Sequence, residues 1–523
     1  MKILKNKKFQ TILFNIVSFL IIYFILGFRF ENMDDVLNSR IIQNGYLNYF
    51  SFQWTNKICY FFTKIFPNFS IWGLFLIITT FLSSIFLTYK FLQTENKKLK
   101  IIQLLSLTII LIDLLFQCQW TKVATFSLTT GMLYFLDFFK FKRKSYIPIS
   151  LLLIFLGISI RYSSIYIVFP FAGIYLLLNS KNKKEFFIKT FCLFLVLATS
   201  FSFNQLEKKN YSSEMKYYIE YTNVRSSILD KLKTDFTNIK DLQPEISEND
   251  FYIIDNWQLL DSDYFTLDRL KEIKNTYEEN TNISMIELTI DFIKNSFRKI
   301  FYPLGIILLL VIFLFKRKEN ILYLVGVLLF IGLFTYMNRL PYRIEFSVLL
   351  TSTIFLLNEK YNNLDISHFY KILFTILLIF SLGLHFIFPV LSINSNIPKE
   401  INQINKIMTE NEDEIYLYTF GTQFREYLDY EILDNKINNK PPNVISASWD
   451  LEHPYLLDKL NELNINNPIK ELVNKNINIV EFKQTKESLL LQRYLKEHYN
   501  ITTKINVEYD FDYFQISKLV PIT

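Results

Sequence analysis

The residues best placed to do chemistry are charged side chains set against apolar runs. Directly after the first such run stands Arg29-Phe30-Glu31-Asn32-Met33-Asp34-Asp35. In a helix, Glu31 would share a face with Asp34 and Asp35. A carboxylate held there could accept a proton as a general base. The three together could hold a divalent cation, although no wider ligand set is evident. The same acids also suit a solvated loop or the start of a helix, where the backbone dipole favours negative charge. At the ends of later apolar runs stand Lys122, Arg161, Arg339 and Arg343. Guanidinium pairs bind a phosphodiester through parallel hydrogen bonds, and a lysine adds a point charge. Each alone could snorkel to lipid headgroups, but four at one depth point to a shared anionic ligand. Asp113, Asp137 and His385 also fall inside apolar runs. They are too few for a proton-carrying chain; Asp113 could support the site, and Asp137 stands one turn from Lys140.

The elements that must position these groups are membrane spans. The chain of 523 residues is 51% hydrophobic and 17% aromatic, with only 11 Gly and 13 Pro, a lipid-facing composition. Its net charge of +7 is spread in small clusters between apolar runs, which argues against a nucleic-acid footprint. Cys59, Cys118 and Cys192 make an odd set without metal-ligand spacing and are expected as buried thiols. The run 9–28 follows a lysine cluster, exceeds a signal-peptide core and lacks a small-residue cleavage site, so it is expected to remain as the first span. Eleven segments are long and apolar enough to count as spans: 9–28, 71–89, 101–117, 121–139, 146–160, 163–178, 186–203, 297–315, 321–337, 341–357 and 372–390.

Alternate connections carry the lysines and arginines, which places them and the amino terminus in the cytoplasm. The expected fold is therefore an α-helical polytopic membrane bundle with an outer helical loop domain and a soluble carboxyl-terminal α/β domain. Residues 1–203 form a seven-span module whose first outer loop, 29–70, lies as interfacial helices. Residues 204–296 form a large helical outer loop, 297–390 the last four spans, and 393–523 the soluble domain. The last alternates β-type runs at 414–418, 443–446, 477–482 and 505–509 with helical patterns at 455–463 and 487–498.

This layout resembles the GT-C superfamily of membrane glycosyltransferases, such as protein O-mannosyltransferases, oligosaccharyltransferases and aminoarabinose transferases. The shared features are the acidic first outer loop (Glu31 to Asp35), seven spans before a large outer loop, and an outer carboxyl-terminal domain. The stretches Thr121-Lys122-Val123-Ala124, Tyr221-Thr222-Asn223-Val224-Arg225 and Ser247-Glu248-Asn249-Asp250-Phe251-Tyr252 look like those of uncharacterised bacterial proteins of this type. The oligosaccharyltransferase motif Trp-Trp-Asp-Tyr-Gly is absent, which turns the expectation away from peptide N-glycosylation.

The resemblance implies a multi-pass plasma-membrane enzyme that moves a sugar from a polyprenyl-phosphate donor to a glycan or protein acceptor outside the cell. Asp34 or Asp35 would be the base, Lys122, Arg161, Arg339 and Arg343 would hold the phosphate, and Glu31, Trp54 and Tyr342 would line the substrate site. Aromatic residues of this kind also populate membrane-interface belts. Two other classes share the layout. A lipid-linked oligosaccharide flippase would need a polar path through the whole bilayer, and a polysaccharide polymerase would rely on arginines more than on carboxylates.

Overall fold

The computed structural model describes residues 6–231, 246–280, 285–315, 318–337, 340–359, 368–434, 441–446 and 450–522. Of the described residues, 72% are helical. Helix α1 (Lys7–Leu26) stops at Gly27, whose φ of 75° suits a residue without Cβ. The first connection then folds into α2 (Met33–Gln43) and α3 (Gln53–Ile65). The bundle continues through α4 (Ile71–Leu92), α5 (Lys97–Phe116), α6 (Trp120–Phe141), α7 (Tyr146–Ile160), α8 (Ile165–Asn179) and α9 (Lys183–Lys209). Next come α10 (Ser213–Lys231), α11 (Glu248–Asp255), α12 (Leu267–Asn280) and α13 (Met285–Ile300), and then the apolar helices α14 (Pro303–Phe315), α15 (Ile321–Tyr336), α16 (Tyr342–Leu357) and α17 (His368–Ile393).

All eleven apolar segments are helical, but among the described residues six helices are both long and apolar enough to cross a membrane. The segment 297–315 is not one helix. α13 is amphipathic and exposes Ile286, Ile290 and Ile293, and Pro303 opens α14 at a position where its missing N–H costs nothing. The 13 residues of α14 span about 20 Å against a hydrocarbon core of about 30 Å. α7, α15 and α16, at 15, 16 and 16 residues, are short as well.

The bundle sorts by face. α1 exposes Phe24 and Ile25, and α9 exposes Phe187, Phe191 and Phe194, whereas α6 and α16 are buried along most of their length. Two glycines bring α6 against α7. A Cβ on Gly131 would lie 2.8 Å from the Ile154 backbone nitrogen, and one on Gly157 would lie 2.8 Å from the Ala124 carbonyl. Hydroxyls fill the resulting interior: Thr129 meets Thr351 at 3.1 Å, and Ser127 donates to the Leu153 carbonyl at 2.8 Å. All three cysteines are free, with Cys59 and Cys118 buried and Cys192 half-buried.

The connections gather at two ends. At one, the first connection docks on the α5–α6 turn through a short parallel bridge, in which Cys118 N–H donates to the Arg29 carbonyl at 2.8 Å and Glu31 N–H to the Cys118 carbonyl at 2.8 Å. At the other, Lys140 reaches Asn179 at 3.3 Å and Arg143 reaches Gln93 at 3.3 Å. The lysine-rich turns thus lie opposite the first connection.

A head of short helices and a small sheet covers the end that carries the first connection. Its helices are α18 (Ile397–Glu410), α19 (Phe420–Glu426), α20 (Pro454–Glu462), α21 (Pro468–Asn474) and α22 (Glu487–Tyr499). Strands β1 (Tyr416–Tyr418), β2 (Val444–Ser446), β3 (Asn478–Phe482), β4 (Thr503–Asp510) and β5 (Phe514–Pro521) form one sheet in the order β2-β1-β3-β5-β4, parallel across β2-β1-β3 and antiparallel beyond. The expected strands at 414–418, 443–446, 477–482 and 505–509 are present. β5, α18, α19 and α21 extend that expectation.

The large connection and the head are not separate. Tyr221, Phe251, Ile254, Phe265 and Leu270 pack in one core with Leu417, Ile445, Ile479, Leu491 and Leu519. Buried Asp261 ties them by accepting hydrogen bonds from Tyr494 Oη at 2.9 Å and Asn467 Nδ2 at 2.7 Å. The head is also keyed to the bundle. Ile432 N–H donates to the Phe28 carbonyl at 2.9 Å, and the Ile432 carbonyl occupies the space beside Gly73 where a Cβ would clash at 2.2 Å.

Candidate functional site

The site starts from the amino-terminal turn of α2. Asn32 caps that helix by accepting from Asp34 N–H at 2.9 Å, which sets Asp34 and Asp35 in the first turn, where the dipole favours carboxylates. The helix then sends the two acids different ways. The Asp34 carboxylate pairs with Arg343 of α16 at 2.7 Å and stays part-exposed. Asp35 is fully buried and accepts from Trp120 N–H at 3.1 Å. Burial, then the neighbouring Asp34 charge, pushes the Asp35 carboxyl well above the usual carboxylate range.

Asp34 and Arg343 open onto a cavity of about 420 Å³ between the bundle and the head. That volume is within the range of small-molecule sites, roughly 300–1,000 Å³. On the bundle side the wall includes Tyr49 and Phe50 of the first connection, Trp120 and Arg161. Arg161 lies over the rings of Trp120 at 4.6 Å and Phe50 at 5.4 Å, and donates from Nε to Ser163 at 3.1 Å. On the head side it includes Thr222 and Ser226 of α10, Trp257, and Phe420, Gln423 and Phe424 of α19. Trp257 follows α11 with φ of 58°, a left-handed conformation that a bulky side chain adopts at a cost.

The other expected site residues lie behind this wall. Lys122 is fully buried. Its ammonium pairs with Asp113 at 2.5 Å and Glu31 at 2.6 Å and donates to the Gln117 carbonyl at 3.1 Å. An ammonium has three donors, and these partners occupy the ion, so Lys122 does not reach the cavity as a phosphate ligand would. Tyr342 also turns inward: its hydroxyl donates to Asp113 at 2.5 Å and lies 2.9 Å from His385 Nε2, which is itself 2.9 Å from Asp113. Trp54 stacks on Phe155 at 4.7 Å, away from the cavity wall. Arg339 lies outside the described residues. Asp137, one turn from Lys140, pairs with Lys90 of α4 and accepts from Tyr175 at 3.2 Å.

The three acids of the first connection therefore do not converge. Glu31 faces Lys122, Asp34 faces Arg343 and Asp35 faces the Trp120 amide, so they form no common ligand set for a divalent cation. Among the described residues, the group with closely placed metal-type donors is Asp250, Glu497 and His498, at the seam between α11 and α22. There Asp250 is already engaged by Ser247 N–H at 3.1 Å, the Tyr264 hydroxyl at 3.1 Å and His498 Nε2 at 2.7 Å.

Sequence reasoning placed Asp34, Arg161 and Arg343 on one cavity and missed its head side. Trp257, Phe420, Gln423 and Phe424 carry no local mark, since tertiary folding alone brings them there. A faint signal lay in Tyr221 to Arg225: Thr222 lines the cavity, and Arg225 is buried over Trp257 at 5.2 Å. Set against family models, curated proteins and solved structures, the chain matches none of them.

Proposed function

We propose that the chain is a membrane glycosyltransferase that transfers a sugar from a polyprenyl-phosphate donor to a hydroxyl acceptor at the outer face of the plasma membrane. The observation that carries this reading is one carboxylate, Asp34, sharing a cavity with two guanidinium groups, Arg343 and Arg161. In this reading the chain crosses the bilayer about eleven times, with the lysine-rich connections and amino terminus in the cytoplasm. The cavity and head then lie outside, and the prenyl chain of the donor lies among the helices.

Arg343 has two roles in the proposed cycle. At rest it holds the Asp34 carboxylate at 2.7 Å. A phosphate arriving from the lipid competes for the same guanidinium, and Arg161 supplies a second. Asp34, released from its partner, then accepts the proton of an acceptor hydroxyl as the oxygen attacks the anomeric carbon. A single displacement of this kind inverts that centre. The leaving phosphate keeps its negative charge against the two arginines, in a site sheltered by the head. Asp35 holds the α6 terminus in place and Lys122 neutralises Glu31 and Asp113 behind the wall, so neither touches the substrate. Support for this division of labour comes from the opposed directions of Asp34 and Asp35 within one helical turn.

The test is transfer activity in membranes that hold equal amounts of wild type and variants, measured by mass spectrometry of cell-surface glycans. Asp34→Asn is expected to lower the rate by about 10²–10⁴, the usual contribution of a positioned base. Full activity in Asp34→Asn would remove the base assignment, and with it the reading as a transferase of this type.

A further inference from the structure

The cavity is divided by charge. Its bundle side carries Arg161, Arg343 and Asp34, whereas its head side presents aromatic rings and uncharged polar groups. Within that half Gln423 is 1% exposed, lines the cavity, and makes no hydrogen bond to the protein through either Oε1 or Nε2. A buried primary amide with both ends unmatched is unfavourable unless a ligand or water completes it. Trp120 lines the same cavity, is 2% exposed, and its indole N–H is likewise buried without a protein acceptor. Beside Gln423 the rings of Trp257 and Phe420 stack at 6.0 Å with 13° between their planes, and Arg225 lies over Trp257 at 5.2 Å.

We propose that the head side of the cavity is a carbohydrate subsite in which the Gln423 amide binds two neighbouring hydroxyls of a sugar ring lying against Trp257 and Phe420. An amide offers an acceptor and a donor side by side, which matches a vicinal diol, where each hydroxyl can give or take a proton. The flat apolar faces of Trp and Phe suit the C–H face of a pyranose, and an uncharged lining suits a neutral ring. The inference rests on the proposed function in one respect: the phosphate of the same ligand is held at the arginine end. It adds that sugar identity is read by α19 of the head and not by the membrane helices.

The test uses the full chain in detergent with a short prenyl phosphate, bare or carrying glucose, galactose, mannose or N-acetylglucosamine, and reads binding by tryptophan fluorescence. At least one sugar-bearing compound is expected to bind wild type about tenfold tighter than the bare phosphate, the scale of one or two neutral hydrogen bonds. Gln423→Leu, of similar shape, is expected to remove that advantage while leaving affinity for the bare phosphate unchanged and the thermal midpoint unchanged or higher. Phe424→Ala, at a half-exposed position on the same wall, gives a second variant that spares the fold and is expected to reduce the advantage.

An advantage that survives in Gln423→Leu, or none for any of the four sugars in wild type, overturns the subsite and means that water alone completes the amide. If the bare phosphate does not bind wild type, the lipid-phosphate reading fails instead. The subsite is then judged with methyl glycosides of the same sugars: fluorescence quenching that Gln423→Leu abolishes sustains it, and equal responses overturn it.

Discussion

Replacing Lys122 by methionine separates a scaffold ion from a ligand-binding one. The ammonium is fully buried and pairs with Asp113 at 2.5 Å and Glu31 at 2.6 Å, so Lys122→Met removes the counter-ion of two enclosed carboxylates and keeps most of the side-chain volume. Breaking a buried pair from one side costs about 3–5 kcal/mol, because the partner charge stays behind without compensation. The purified variant should therefore unfold at lower temperature and accumulate to lower levels in membranes. Adding Asp113→Asn to Lys122→Met should restore part of the loss, with a coupling of about 0.5–3 kcal/mol between these contacting groups. A lysine that served the donor phosphate would behave otherwise: the single variant would fold as wild type and lose only affinity for a prenyl phosphate. That result would refute the assignment of Lys122 to the scaffold.

Three other outcomes follow from the geometry. His453 holds the head to the first connection by donating from Nε2 to the Leu47 carbonyl at 3.1 Å while Nδ1 accepts from Tyr455 N–H at 3.1 Å. Burial lowers its pKa from 6.5 to about 4, so its contribution is whole above pH 6.5 and fades as the pH falls toward 4. The loss between pH 7 and pH 5 is about 2 kcal/mol, to be seen as a larger drop in thermal midpoint for wild type than for His453→Gln. Glu426→Gln removes the charge facing buried Arg40 at 3.1 Å and should loosen the head by about 3–5 kcal/mol, read as faster proteolysis of the first connection. Gly131→Ala forces a methyl group to within 2.8 Å of the Ile154 backbone nitrogen and should cost about 1–3 kcal/mol in thermal unfolding of the purified protein.

Much of the architecture was legible because it depends on local periodicity and on the exclusion of charge from lipid. Every apolar run but 297–315 became a single helix, and the alternating lysines marked one end of the bundle. The run 297–315 misled because an amphipathic helix and an apolar one are contiguous in composition, and only Pro303 marks the break. At the site, the types of Asp34, Arg161 and Arg343 were informative because charge is costly at a bundle end. Their neighbours were not. Lys122 looks like Arg343 in sequence, yet one turns inward to Asp113 while the other meets the cavity, a distinction set by helix rotation. Gln423 and Trp257 were invisible, since an amide or a ring signals chemistry only once the fold has removed its partners from reach.

The shared core of the head sets an order of assembly. Residues such as Phe251 and Leu270 find their apolar partners in strands and helices made some two hundred positions later, after four further hydrophobic segments have left the ribosome. Until the last strand pairs, that surface stays uncovered and open to chaperones and proteases. A chain cut short before β5 should therefore be cleared between α10 and α13, well upstream of the missing piece, so quality control would read the carboxyl end through the state of a distant segment.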